Sequence, residues 1–147
     1  MIEKFRTFTY LIASLNRLIK KIKTEEMLEY NLKSPHVSCL YYVYKVGSIT
    51  AKELSDLCGE DKATISRSLN YLGNHGYIVD GQELKRYKTP IILTEKGAET
   101  AKLISRKIDG FISMADDGIA ERDVETMYRS LKIVNDNLSK ICENYNQ

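Results

Sequence analysis

Residues 49–78 read ITAKELSDLCGEDKATISRSLNYLGNHGYI, and this stretch decides the fold. Thr50 and Glu53 have the spacing of a capping box, in which each side chain satisfies the other's free backbone N–H. A short helix over about 51–57 follows, with Leu54 and Leu57 expected inward and Cys58-Gly59 closing it. Asp61 or Glu60 then caps a second helix running to about Gly73. Two short helices across a glycine-containing turn form a helix-turn-helix pattern.

The second of these helices has two distinct sides. At about 100° per residue, Ile65, Leu69 and Leu72 cluster and must face the core. The opposite side carries Ala63, Arg67, Asn70 and Asn74, flanked by Ser66 on one edge and by Thr64 and Tyr71 on the other. No acid interrupts its middle. Small residues allow close approach, hydroxyls and an amide donate and accept, and a guanidinium grips phosphate or guanine. Lys62 and the helix N-terminus add positive potential. These are the groups that read a major groove. The plain alternative is a solvated helix face.

Downstream, the periodicity becomes extended. Tyr77-Ile78-Val79 reads as a strand, Asp80-Gly81 as a turn and residues 86–93 as the return strand, with Pro90 limiting that strand to an edge. A hairpin placed here is a wing. Its sequence Leu84-Lys85-Arg86-Tyr87-Lys88 puts three positive charges and one aromatic at the tip, as suits contact with a DNA backbone or minor groove.

Longer helices flank this module. Over about 3–30, Phe8, Ile12, Leu15, Ile19 and Ile22 form one apolar stripe, and after Ser34-Pro35, read as N-cap and first helical residue, a helix runs over about 35–46. Beyond Thr94, the helix 95–115 carries Ala101, Ile104, Ile108, Phe111 and Ala115, and the helix 121–144 carries Met127, Leu131, Val134, Leu138 and Ile141. One small winged module cannot cover three such stripes. Association between subunits can, so a homodimer is expected. The fold class is therefore mainly α with a small β-hairpin wing: a winged helix-turn-helix at about 35–97 between dimerisation helices at about 3–30 and 95–144, one domain over 1–147.

Bulk properties set bounds. The chain has 147 residues and net charge +2. Residues 47–97 hold 7 Lys/Arg against 7 Asp/Glu, so any electrostatic case rests on where the charges sit. No apolar run suggests a membrane span and the N-terminus does not read as a secretory signal, so a cytoplasmic protein without membrane partners is expected. Cys39, Cys58 and Cys142 are odd in number and far apart along the chain, fitting neither a disulfide framework nor a zinc finger. They read as small apolar residues with no part in DNA binding or its regulation; a redox-sensing thiol would require a lowered pKa and exposure. No catalytic constellation emerges, and no enzyme is expected.

The run 49–78 resembles the core of the MarR family of bacterial regulators, and Leu93-Thr94-Glu95-Lys96-Gly97 resembles that family's closure of the wing. Element order matches over nearly the whole chain, and the motifs match over about 49–97. The resemblance implies a triangular dimer that binds a pseudo-palindromic operator in double-stranded DNA, usually as a repressor and often under a small-molecule effector. One departure concerns the wing. Where family members carry Asp-x-Arg, this chain has Lys85 and Tyr87 with Arg86 between them, and an offset of one residue reverses a strand's face. Either the wing register is shifted or Arg86 is not the minor-groove residue.

DNA-contacting residues are accordingly Lys62, Ala63, Thr64, Ser66, Arg67, Asn70, Lys85, Arg86 and Lys88. The resemblance also implies an effector pocket, for a small aromatic or apolar molecule, drawing on Tyr10, Tyr30, His36, Cys39 and Tyr41; ordinary packing is the competing reading of these residues. Metal sensing in the family needs a ligand cluster, whereas His36 and His75 are the only histidines here, so no metal or cofactor is expected. The alternative function is a dimeric winged-helix module that binds protein and not DNA.

Overall fold

A computed structural model describes residues 2–79 and 88–146. The helices are α1 (Ile2–Glu26), a 3-10 turn (Leu28–Tyr30), α2 (Ser34–Val46), α3 (Ala51–Cys58), α4 (Lys62–Asn74), α5 (Glu95–Ala115) and α6 (Glu121–Asn144). The chain falls into two compact units, residues 1–109 and 110–147, and the helix-turn-helix lies wholly in the first.

Local chemistry explains most boundaries. Thr50 and Glu53 cap α3 reciprocally: the Thr50 N–H donates to Glu53 Oε2 at 2.9 Å and the Glu53 N–H to Thr50 Oγ1 at 3.3 Å. Gly59 ends that helix at φ +62°, where a side chain would be strained. Of the two candidate caps for α4, Asp61 acts, accepting the Thr64 N–H at 2.7 Å. At 100° per residue the three inward positions of α4 are Ile65, Leu69 and Leu72, and all are buried as the periodicity requires.

Two boundaries and one burial differ from expectation. The first helix stops at Glu26, short of residue 30, because the chain turns there to bury Met27 and Leu32, with Asn31 left-handed at φ 56°. Ser34 is not the N-cap of α2. Lys33 holds that place, its N–H donating to His36 Nδ1 at 3.0 Å, while the Ser34 N–H donates to Thr24 Oγ1 at 3.1 Å. Leu57, expected inward, is half exposed, since α3 turns Ala51 and Leu54 to the core and leaves Leu57 at its edge.

In the first unit α2 is central and packs against α1, α3 and α4. The core joins Leu40 and Val43 of α2, Leu54 of α3, the inner face of α4, and Ala101 and Ile104 of α5. Full burial of each large aliphatic side chain stabilises by roughly 1.5–3 kcal/mol, so this cluster outweighs the exposed ion pairs beside it. Those pairs are Lys107–Glu26 at 2.9 Å and Lys45–Asp109 at 3.3 Å.

Of the expected wing, one bridge lies among the described residues. Ile78 and Leu93 form an antiparallel bridge, flanked by Val79 N–H to Ile92 O at 2.8 Å and Thr94 N–H to Tyr77 O at 3.1 Å. On the other side, the Ile91 N–H donates to Ile49 O at 2.8 Å, which ties the residue before the α3 cap to this segment. Among the described residues no longer strand forms. The expected turn at Asp80-Gly81 and the tip residues Lys85, Arg86 and Tyr87 lie outside the described residues.

Two helices leave their apolar stripes uncovered. On α1, Phe8, Ile12, Leu15, Ile19 and Ile22 are 38–53% exposed. On α6, in the second unit, Met127, Leu131, Val134, Leu138 and Ile141 are 36–51% exposed, and no residue of that helix is buried. Among the described residues, no helix is long and apolar enough to cross a membrane.

Candidate nucleic-acid interface

α4 presents its polar face outward because its apolar face is held by the core. Lys62, Ala63, Ser66 and Arg67 are exposed, while Thr64 and Asn70 are partly covered at the edges. The Arg67 guanidinium donates to Thr64 Oγ1 at 3.2 Å, one turn back along the helix, which holds the arginine along the outer face. Asp61 sits at the N-terminal end, and the Thr64 N–H that it accepts holds its carboxyl below the usual carboxylate range. The middle of the face, from Ala63 to Asn70, carries no acid. Six of the expected DNA contacts thus share one helix surface.

The remaining three fall on the expected wing. Lys88 is exposed, and Lys85 and Arg86 lie outside the described residues.

Tyr71, read from the sequence as an edge of the outward face, does something else. Its hydroxyl donates to Asn31 O at 2.6 Å, and its ring is stacked between His36 at 4.2 Å and His75 at 3.9 Å. His36 of α2 and His75, the C-cap of α4 itself, thus hold the Tyr71 ring between them, and the His36 side of the stack ties α4 to α2. Burial lowers the His36 pKa, with Lys33 and His75 adding to the shift, which favours the neutral ring in this stack. Helical spacing places Tyr71 on an edge but cannot show what lies over it.

A second clamp joins the hairpin base to α5. Thr94 Oγ1 donates to Gly76 O at 2.6 Å and accepts the Gly97 N–H at 3.0 Å. Lys96 Nζ donates to His75 O at 2.8 Å and lies 4.3 Å from the centre of the Tyr77 ring. Gly97 passes so close to the Tyr77 carbonyl that a Cβ would stand 1.8 Å from its oxygen. The Thr-x-Lys-Gly run of residues 94–97 thus locks α5 onto the end of the helix-turn-helix.

The five expected effector residues are spread out. Cys39 is buried in the core, Tyr41 packs edge-on against Tyr42 at 5.2 Å, and His36 belongs to the Tyr71 stack. Tyr10 lines an open groove of about 820 Å³ on α1, and Tyr30 is exposed in the 3-10 turn. A cavity of about 240 Å³ beside the hairpin base, lined by Val43, Tyr44, Gly47 and residues 90–93, takes none of the five. Among the described residues, no group of three or more His, Cys, Asp or Glu side chains is placed to hold a metal ion.

No family model matches the sequence. The chain is 26% identical over 102 residues to the HTH-type transcriptional regulator YwoH of Bacillus subtilis, which covers 67% of this chain and 74% of that protein. Its fold is similar to that of a MarR-family transcriptional regulator from Listeria monocytogenes solved in complex with 26mer DNA, at TM-score 0.79 and 26% identity, covering 90% of this chain and 89% of that one. It is also similar to a SlyA-like transcription regulator from Listeria monocytogenes, at TM-score 0.77 and 26% identity, covering 88% and 87% of the two chains.

Proposed function

We propose, from the premise that this chain is a transcription regulator of the MarR type, that it binds duplex DNA as a homodimer and represses at a pseudo-palindromic operator. The observation that carries this reading is the outer face of α4, where Ala63, Thr64, Ser66, Arg67 and Asn70 stand opposite a buried apolar side, with no acid among them. Arg67 donates to a base edge, the hydroxyls and amide adapt to neighbouring bases, and Lys62 with the helix N-terminus meets phosphate. Lys85, Arg86 and Lys88 serve the flanking backbone or minor groove. The Listeria complex with 26mer DNA supports the same mode of binding here.

The test is selection of bound duplexes from a random pool, followed by affinity across a salt series. Phosphate neutralisation gives a steep loss of affinity with salt, with a log–log slope of about −0.9 per contact. A flat salt response would favour the protein-binding alternative, which the neutral charge of residues 47–97 keeps in view.

Dimerisation follows from the uncovered stripes of α1 and α6, which a soluble monomer rarely leaves open to water. Sedimentation at micromolar concentration is expected to give a dimer. Replacing Leu131 and Leu138 together by Asp should give a monomer and abolish operator binding. A native chain that sediments as a fully helical monomer would refute the assignment. A small apolar or aromatic effector would act on the spacing of the two α4 helices in such a dimer; calorimetric titration with single-ring aromatic acids is the direct check.

A further inference from the structure

The chain has two histidines, and both lie against one residue of α4. The Tyr71 ring stacks on His36 with 14° between the planes and on His75 with 22°. Its hydroxyl reaches the carbonyl of Asn31, 40 residues away along the chain. Asn31 is the left-handed residue of the turn before α2, so the conformation of that turn aims the carbonyl. Tyr71 follows Asn70 and lies one turn beyond Arg67, at the edge of the polar face of α4.

The two imidazoles bond in different ways. His36 Nδ1 accepts the Lys33 N–H at 3.0 Å, and a ring nitrogen that accepts cannot carry a proton. His75 Nδ1 lies 2.8 Å from Tyr71 O, and a carbonyl only accepts, so that nitrogen bears the hydrogen. A further proton can join His75 at Nε2 without breaking this bond. The stack therefore tolerates charge on His75 and not on His36. The groups around His36 act in the same sense. Lys33 on its own element is cationic, and His75 on α4 gains charge in acid. From α5, Lys96 Nζ bonds His75 O. Among the described residues, no carboxylate pairs with either histidine.

We propose that Tyr71 is a positioning residue for DNA binding, in which the Asn31 carbonyl and a neutral His36 hold its ring, and with it the C-terminal half of α4, against α2. This role rests on the DNA-binding function proposed above. Ile65, Leu69 and Leu72 fix the depth of α4 in the core. A helix seated on one apolar face can still roll about its axis, and a joint at the edge of that face opposes the roll. A side chain such as Arg67 meets its partner only when placed to within about 0.5 Å and 10–20°, so a small roll loses contacts.

Protonation of His36 removes the acceptor of the Lys33 N–H and sets a second charge beside Lys33, which opens the first turn of α2 and the stack on it. Burial, then Lys33 and His75, hold His36 below its ordinary value of 6.5. The fold thus favours the neutral ring. Its contribution is complete above that ordinary value and is lost as pH falls through the lower value of the folded protein.

The experiment has one arm without DNA and one with it. In the first, amide hydrogen exchange of α4 is followed in the native protein and in Tyr71→Phe, which keeps the ring and loses only the bond to Asn31. Exchange over residues 70–75 should quicken in the variant at neutral pH, and in the native protein as His36 takes its proton in an NMR titration. Unchanged exchange in either case overturns the joint. In the second arm, affinity is measured at constant salt for the duplex recovered by random-pool selection and for a scrambled duplex. Tyr71→Phe should bind the selected duplex about 2- to 10-fold more weakly at neutral pH. Between about pH 7.5 and pH 5.5 the native protein should lose several-fold in preference for the selected duplex. His75→Gln should keep that loss, and His36→Phe, which stacks but does not titrate, should abolish it. A purely structural role for Tyr71 would not tie the loss to His36. Native affinity in Tyr71→Phe, or a preference that rises in acid, overturns the positioning role, the latter making His36 a phosphate contact. A protein that binds no duplex refutes the DNA-binding function instead, and the exchange arm still decides whether Tyr71 and neutral His36 hold α4.

Discussion

Gly97→Ala is expected to cost roughly 3 kcal/mol or more of stability, lowering the melting temperature by roughly 10 °C. The added Cβ would meet Tyr77 O at 1.8 Å and Tyr77 C at 2.8 Å, and both are backbone atoms that no rotamer change can move aside. Relief requires the first turn of α5 to retreat from residue 77. That retreat stretches the Thr94 N–H bond to Tyr77 O and the adjoining bridge between Ile78 and Leu93. Gly110→Ala is the control. It changes the same atoms in the same helix, but nothing lies within 4 Å of the new Cβ. An alanine inside a helix should there gain about 0.5–1 kcal/mol. Thermal denaturation followed by circular dichroism separates the two, and a Gly97→Ala melting point within the error of the native value would disprove the close approach.

Arg67→Ala should weaken operator binding by about 1–3 kcal/mol, or roughly 5- to 150-fold, and flatten discrimination among sequences. The fold should hardly notice. Arg67 is exposed, its guanidinium meets Thr64 Oγ1 on its own helix, and surface changes of this kind stay within about 0.5 kcal/mol. Replacement of Arg86 or Lys88 should act differently. Both are expected to touch phosphate or a weakly coded groove, so all sequences should lose affinity about equally, with the salt slope falling by about one per lost contact. Measuring each variant against operator and scrambled duplex over a salt series tests both statements. Unchanged operator affinity in a folded Arg67→Ala protein would remove α4 from the role of recognition helix.

The contrast between these two residues shows where the sequence is readable. The outward position of Arg67 follows from periodicity alone, because the burial of Ile65, Leu69 and Leu72 fixes the opposite side of the same helix. Gly97 is recognised in the sequence only as part of a motif that closes the wing. Its function depends on a carbonyl from another part of the chain, and no spacing rule reports that distance. Tyr71 marks the boundary between the two cases: its place on the helix edge is legible, but the flanking His36 and His75 turn it from a surface residue into a clamp.

The apolar stripes of α1 and α6 are equally legible, since their excess over what one winged module can cover is visible before any coordinates.

By itself, the sequence determined the order of the helices, the capping box at Thr50, and the two faces of α4. These depend on hydrogen bonds and side-chain periodicity within a few residues, which local residue types encode. The tertiary structure alone decided that Gly97 lies on the Tyr77 carbonyl, that His36 stacks on Tyr71, and that Lys23 reaches Ser38. Each of these joins segments distant along the chain, and their meeting is set by how packed helices cross and turn, which the one-dimensional pattern of apolar positions leaves open.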